Sequence, residues 1–319
     1  MYQAKKPVLL IVFNRPDETQ RLLAAVSRVQ PSHLYVSADA PRPGKPSDKH
    51  RCAQTLKLFE NLEWQCNLRL NVEKDNMGSH THIPRAVSWF FEQEESGIVL
   101  EDDCIPNDDF FKFCDQALAL YSEVGPVMWV NGSNGGYNAL QRDEHSYGFS
   151  RYAISWGWAS WRRAWSGFDP TERQMLQQFP GGRNGRYLSL GTSWIAQSFW
   201  YFGFKYAFSI KNWDWRWLRY MSSKQGYAVT PYVNMVSNIG YGIDAVHGGS
   251  PRHRQANLPT GLLPVIKMGR QPLVYDSVLD RYLERYLYRI GLLRMIKIAL
   301  IAAFPGVRNL VRRARGKQT

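Results

Sequence analysis

The chain has 319 residues, of which 44% are hydrophobic and 21% charged, and a formal net charge of +13. That length and balance exclude a disordered chain and a small disulfide-stapled scaffold, and they allow one large α/β domain or two smaller ones. Cys52, Cys66, Cys104 and Cys114 lack metal-ligand spacing and read as reduced thiols of a cytosolic protein.

In chain order, Pro7 to Phe13 (PVLLIVF) is an apolar run that predicts a buried strand, stopped at Asn14-Arg15-Pro16. Asp17 and Glu18 open a helix whose Leu22, Leu23 and Val26 share one face. Leu34 to Ala38 is a second strand, ended by Asp39 and a Pro/Gly-rich loop from Pro41 to Pro46. A short third strand over Leu68–Val72, a loop holding Asn76-Met77-Gly78 and a helix from about Ile83 to Phe91 lead to the apolar run Gly97–Leu100. Strands alternating with helices in this way predict an α/β fold, with a mostly parallel, Rossmann-like sheet flanked by helices. The N-terminus enters a strand almost at once, with no leader or anchor in view, so a cytoplasmic protein is expected.

The run Gly97–Leu100 empties into Glu101-Asp102-Asp103. Ligands of open α/β sheets collect at the carboxyl ends of the strands. Three adjacent acids repel one another unless a cation joins them, and hard oxygen ligands suit Mg²⁺ or Mn²⁺ holding a diphosphate. A solvated acidic turn is the plainer alternative. A helix from Asp108 to Tyr121 and a strand over Val127–Val130 follow, the latter ending at Asn131–Gly136.

Nine of the twelve tryptophans then fall between Trp156 and Trp217. They are either core packing or aromatic faces that stack on sugar rings in an acceptor-binding half. Beyond the loop Asn238–Gly242, which runs on to His247, lies a linker around Leu258 to Pro272. The boundaries expected are 1–136, 137–257 and 258–319. From Arg281 to the end, ten Lys and Arg face one acid, Glu284, so nine of the thirteen net charges sit in this tail. Ile290–Phe304 is apolar but for Gly291, Arg294 and Lys297, too short to span a bilayer. It predicts a basic, amphipathic C-terminal helix that either lies on an anionic membrane surface through Arg281–Lys317 or packs on the body. No aromatic-plus-basic motif supports nucleic-acid binding.

Taken together, the ordered motifs PVLLIVFNRP, LYVSADAP, GIVLEDDCIPNDDFFKF, ISWGWASWRRAW and NWDWRW resemble nucleotide-sugar glycosyltransferases of the GT-A fold, specifically the N-acetylglucosaminyltransferase I-like group, as a bacterial relative. The likeness covers Pro7 to about Met221. It implies a UDP-sugar donor, a glycan or lipid-linked saccharide acceptor, and a site on the cytoplasmic face of the inner membrane. By motif, Asp103 becomes the metal ligand, Glu101 and Asp102 hold the ribose or sugar side of the donor, and Arg15 and Asp39 lie at base and ribose. Arg85 is a further phosphate candidate. Asp214, between Trp213 and Trp215, becomes the general base of an inverting transfer. A helix-capping Asp214, turn roles for Arg15 and Asp39, and a structural His247 are the plainer alternatives; otherwise His247 is a second metal ligand or diphosphate contact. A sugar nucleotidyltransferase and a non-catalytic carbohydrate-binding protein are the rival functions, though FNRPDE lacks the glycines that a nucleotidyltransferase loop wants.

Overall fold

The structure is a computed structural model that describes residues 2–138, 145–170, 190–207, 212–241, 254–263 and 265–304. At its centre is β1 (Val8–Val12), every residue of which is buried. It pairs in parallel with β2 (His33–Ala38) on one side and with β4 (Ser96–Glu101) on the other, while β3 (Asn67–Val72) extends β2 to the sheet edge. The connecting helices are α1 (Pro16–Ser27), α2 (Pro46–Lys57) and α3 (Ser79–Gln93). Pro at the first turn of α1 and α2 removes an N–H that would have no helical partner there.

After β4 the chain leaves the sheet through β5 (Cys104–Pro106) and enters α4 (Asp108–Leu120), capped by the Asn107 side chain on the Phe110 N–H at 3.0 Å. It returns as β6 (Val127–Asn131). The remaining strands of the eight-stranded sheet are β7 (Tyr147–Ser150), β8 (Trp158–Trp161) and β9 (Tyr227–Pro231), giving the order β3-β2-β1-β4-β8-β6-β9-β7. Six strands run one way, as the alternation of elements predicts; β8, wedged between β4 and β6, and the edge strand β7 run against them. A small second sheet pairs β5 with β10 (Val236–Asn238) in antiparallel register, Cys104 opposite Asn238. The helices that follow β8 are α5 (Arg162–Trp165), α6 (Trp194–Ala207), α7 (Trp213–Ser223), α8 (Ser277–Tyr282), which runs into a π-helical turn over Leu283–Leu287, and α9 (Leu292–Ala303).

Side chains alternate across each strand, so the sheet divides two cores. Val8, Leu10, Val12, Ile98 and Leu100 face α1 and α4. Leu9, Ile11 and Val99 face the other way, into an aromatic core built with α3, α5, α6 and α7. Six of the nine clustered tryptophans, 158, 161, 165, 200, 213 and 217, are buried in these cores. Trp129 stacks on Trp158 at 3.8 Å between centroids, and Trp165 on Trp217 at 4.9 Å. Packing, not sugar stacking, is therefore the role of these six rings. The four cysteines are unpaired thiols. No helix among the described residues is long and apolar enough to cross a membrane.

Candidate active site

The pairing register brings the site together. Val12 lies opposite Ala38 and Ile11 opposite Glu101, so β1, β2 and β4 end at nearly one level. The connection from β1 goes to β2 on one side, whereas β4 is laid on the other. The crevice above β1 and β4 is thus a topological switch point, where open α/β sheets take their ligands. Phe13-Asn14-Arg15 and Glu101-Asp102-Asp103 both emerge into it.

Within the crevice, one nitrogen of the Arg15 guanidinium donates to Asp102 Oδ1 at 3.0 Å and to Asp103 Oδ2 at 2.7 Å. Asp102 is buried, and its Oδ2 also accepts from the Phe13 N–H at 3.2 Å. Burial, with Asp103 adding to it against the pull of Arg15, pushes the Asp102 carboxyl up to about 7. Glu101 is driven well above the usual carboxylate range, first by burial and then by Asp103, Asp102 and Asp214. Burial works against the charge on Arg15, but the two carboxylates outweigh it and raise its pKa. Arg15 is thus the counter-charge of the triplet, which a turn role alone would not require.

Asp214, from a segment more than a hundred residues further along the chain, bears on this group through Glu101. It sits in the first turn of α7, behind the Asn212 cap, and its Oδ1 accepts from the Trp215 N–H at 2.9 Å. The capping alternative is therefore realised, while its charge is also felt by Glu101. One carboxylate serves both positions without conflict.

A strap that sequence reasoning missed closes over Asp103. The β5–β10 pairing carries Asn238, Ile239, Gly240 and Tyr241 across it. Asn238 Nδ2 donates to Asp103 Oδ1 at 3.3 Å, and the Ile239 N–H to the Asp103 carbonyl at 2.8 Å. At Gly240 even a Cβ would collide with the Asp103 carboxylate. The Tyr241 phenol is pushed up to about 12, by burial first and then by Asp103, and its ring meets Trp156 edge-on at 6.1 Å. The glycines of Asn238–Gly242 were the only signal, and nothing local said that their partner lay more than a hundred residues earlier.

Asp39 ends β2 as predicted, yet its carboxylate is ringed by protein donors. The N–H groups of Ala40 and Met77 reach Oδ1 at 2.9 and 2.8 Å, and Gly78 N–H and Asn76 Nδ2 reach Oδ2 at 2.9 and 3.2 Å. It organises the turn before α3, so its turn role is the one seen directly. Arg85 is not brought to the triplet; it pairs with Glu73, just beyond β3, at 3.2 Å. His247 lies outside the described residues.

Among the described residues, no three His, Cys, Asp or Glu side chains already surround a common point. The donor set still fits a hard divalent cation. Two carboxylates, Asp102 and Asp103, share one guanidinium, and no hydrogen-bond donor to the neighbouring Glu101 carboxyl is found among the described residues. A partly desolvated carboxylate without a partner is costly, and a cation or a proton is what relieves it.

No protein-family model matches the chain, and no curated protein matches it. Among solved structures it is similar to the mannosyltransferase PcManGT from Pyrobaculum calidifontis, in complex with GDP-Man and Mn²⁺. There the identity is 15% and the TM-score 0.31, over 50% of this chain and 45% of that one. It is also similar to the glycosyltransferase GlyE of Streptococcus pneumoniae TIGR4, at 12% identity and a TM-score of 0.30, over 72% of this chain and 55% of that one. The chain thus spans about half the length of each of these two structures.

Proposed function

We propose that the chain is a metal-dependent, inverting glycosyltransferase that moves a sugar from a UDP-sugar to a hydroxyl of a glycan or lipid-linked saccharide on the cytoplasmic face of a bacterial inner membrane. One observation carries the reading. Glu101, Asp102 and Asp103 leave β4 at the switch point of the sheet, Arg15 pairs with Asp102 and Asp103, and Asp214 in the first turn of α7 adds its charge to that felt by Glu101. Such a group is poorly suited to bare solvent and well suited to a divalent ion with a diphosphate.

In this reading Asp103 holds Mn²⁺ or Mg²⁺, with His247 as a second ligand. When bound, the ion acts as a Lewis acid that stabilises the departing nucleoside diphosphate. Arg15 keeps Asp102 and Asp103 in place, and Glu101 and Asp102 orient the sugar and ribose side of the donor. Asp39 fixes the turn against which the base lies. Asp214 takes the proton from the acceptor hydroxyl as that oxygen attacks the anomeric carbon on the face away from the leaving group. UDP-N-acetylglucosamine is the first donor to test. The carbohydrate-binding alternative loses support, because six of the clustered tryptophans are interior.

Titration calorimetry with UDP, with and without Mn²⁺, tests the reading, followed by a nucleotide-sugar panel assayed for released UDP. Metal-dependent UDP binding and UDP release are expected. UDP binding that ignores the metal contradicts the metal-held diphosphate, and release of pyrophosphate from a nucleoside triphosphate and sugar phosphate would point to nucleotidyl transfer.

A further inference from the structure

The helix α9 is held to the body by one face only. Met295 and Ile298 are buried against α6, while Leu292, Leu293, Ile296, Leu300 and Phe304 are exposed, Leu293 at 84% and Phe304 at 60%. Residues 293, 296 and 300 follow helical spacing, so they form one outward apolar stripe, and exposed Phe304 comes just past the helix end. Lys297, exposed, lies within this stretch, as does Arg294, whose guanidinium also donates to the Tyr288 carbonyl and lies over the Phe199 ring. No acid follows Glu284 anywhere in the chain, and the fifteen residues from 305 to 319 add five cations.

We infer that this face of α9 docks on an anionic bilayer surface, with the apolar stripe entering the headgroup boundary and the cations at its rim. The packing alternative for the tail is thereby also met, since one helix uses opposite faces for body and membrane. Charge selects the occupant. A second copy of the chain would bring one cationic helix against another, and like charges across such an interface repel. A nucleic acid would neutralise the cations but leave the apolar stripe in water, whereas a bilayer interface satisfies both.

Sedimentation of the full chain with vesicles of phosphatidylcholine alone, and of phosphatidylcholine mixed with phosphatidylglycerol, tests the inference. Salt-sensitive binding to the mixed vesicles is expected. Leu293→Glu should weaken it by about tenfold or more, and Lys297→Gln by about fivefold. Leu293 makes little contact with the body, so unchanged thermal melting is expected for Leu293→Glu. Absence of binding to the anionic vesicles overturns the inference, as does Leu293→Glu binding like the wild type. So does a dimer in solution that Leu293→Glu dissociates without any vesicle binding. Duplex DNA binding as tight as vesicle binding, and blind to Leu293→Glu, overturns it as well. None of these readouts depends on glycosyl transfer.

Discussion

Asp103 is held at four points: Arg15, Asn238 and the Cys104 thiol reach its carboxylate, and the Ile239 N–H holds its carbonyl. Replacing it with alanine leaves these partners in place but removes the oxygen donors. Asp103→Ala is therefore expected to abolish Mn²⁺-dependent UDP binding, and unchanged affinity by calorimetry would remove Asp103 from the metal role. Asp214→Asn keeps a side chain able to cap α7 but cannot accept the acceptor's proton. Turnover should fall by roughly 10²–10⁴-fold with donor affinity intact; near-normal turnover excludes it as the base. Gly240→Ala pushes a methyl group into Asp103 Oδ2, the same oxygen that Arg15 holds, so the carboxylate can yield only by giving up that ion pair. Misplacement on this scale costs about hundredfold in transfer, so steady-state kinetics equal to wild type would refute the strap's influence. The acids at 101–103 were legible because an apolar run ended in them. The contribution of Gly240 was not, since it is the meeting of two distant segments and has no local pattern.

Between neighbouring elements, Asp48 in the first turn of α2 ties the β1 and β2 loops together. It accepts from Asn14 Nδ2 at 2.8 Å and from the Arg42 guanidinium at 2.5 and 2.8 Å. Arg42 foremost, with Asn14 assisting, lowers its carboxyl to about 2. A carboxylate depressed on folding stabilises the fold fully above its usual pKa near 4 and loses that contribution as pH falls towards 2. Asp48→Asn should therefore lower the melting temperature at pH 6, and the gap to wild type should close on acidification. A gap of constant size down to pH 2 would contradict the assignment. This helix escaped sequence reading because, among its side chains, it buries only Asp48, Cys52 and Thr55, too few apolar positions for a face. The expected start of α3 at Ile83 fell four residues late: the helix begins at Ser79, with polar residues and Pro84 hiding its first turn. By contrast β1, β2, β4 and α4 were readable, being apolar runs or amphipathic repeats of full length.

Across the whole molecule, one register and one inserted strand decide where chemistry can happen. The alternation of strands and helices through β4 announces a parallel sheet, and the order β2-β1-β4 puts the switch point where the acids emerge. The short segment Trp158–Trp161 gives no sign that it runs against its neighbours, because four buried residues carry no usable periodicity. Yet β8 is what joins β4 to β6, and with it the sheet that bears the acids to the half that bears Asp214. The net charge divides similarly: the body carries the acidic crevice, while the cations gather beyond Glu284. The most direct test of the crevice is anomalous diffraction from a crystal grown with Mn²⁺ and UDP. A manganese peak at the Asp103 carboxylate, with the diphosphate beside it, is the predicted result. Ordered UDP with no manganese there, or manganese bound only elsewhere, would contradict the account.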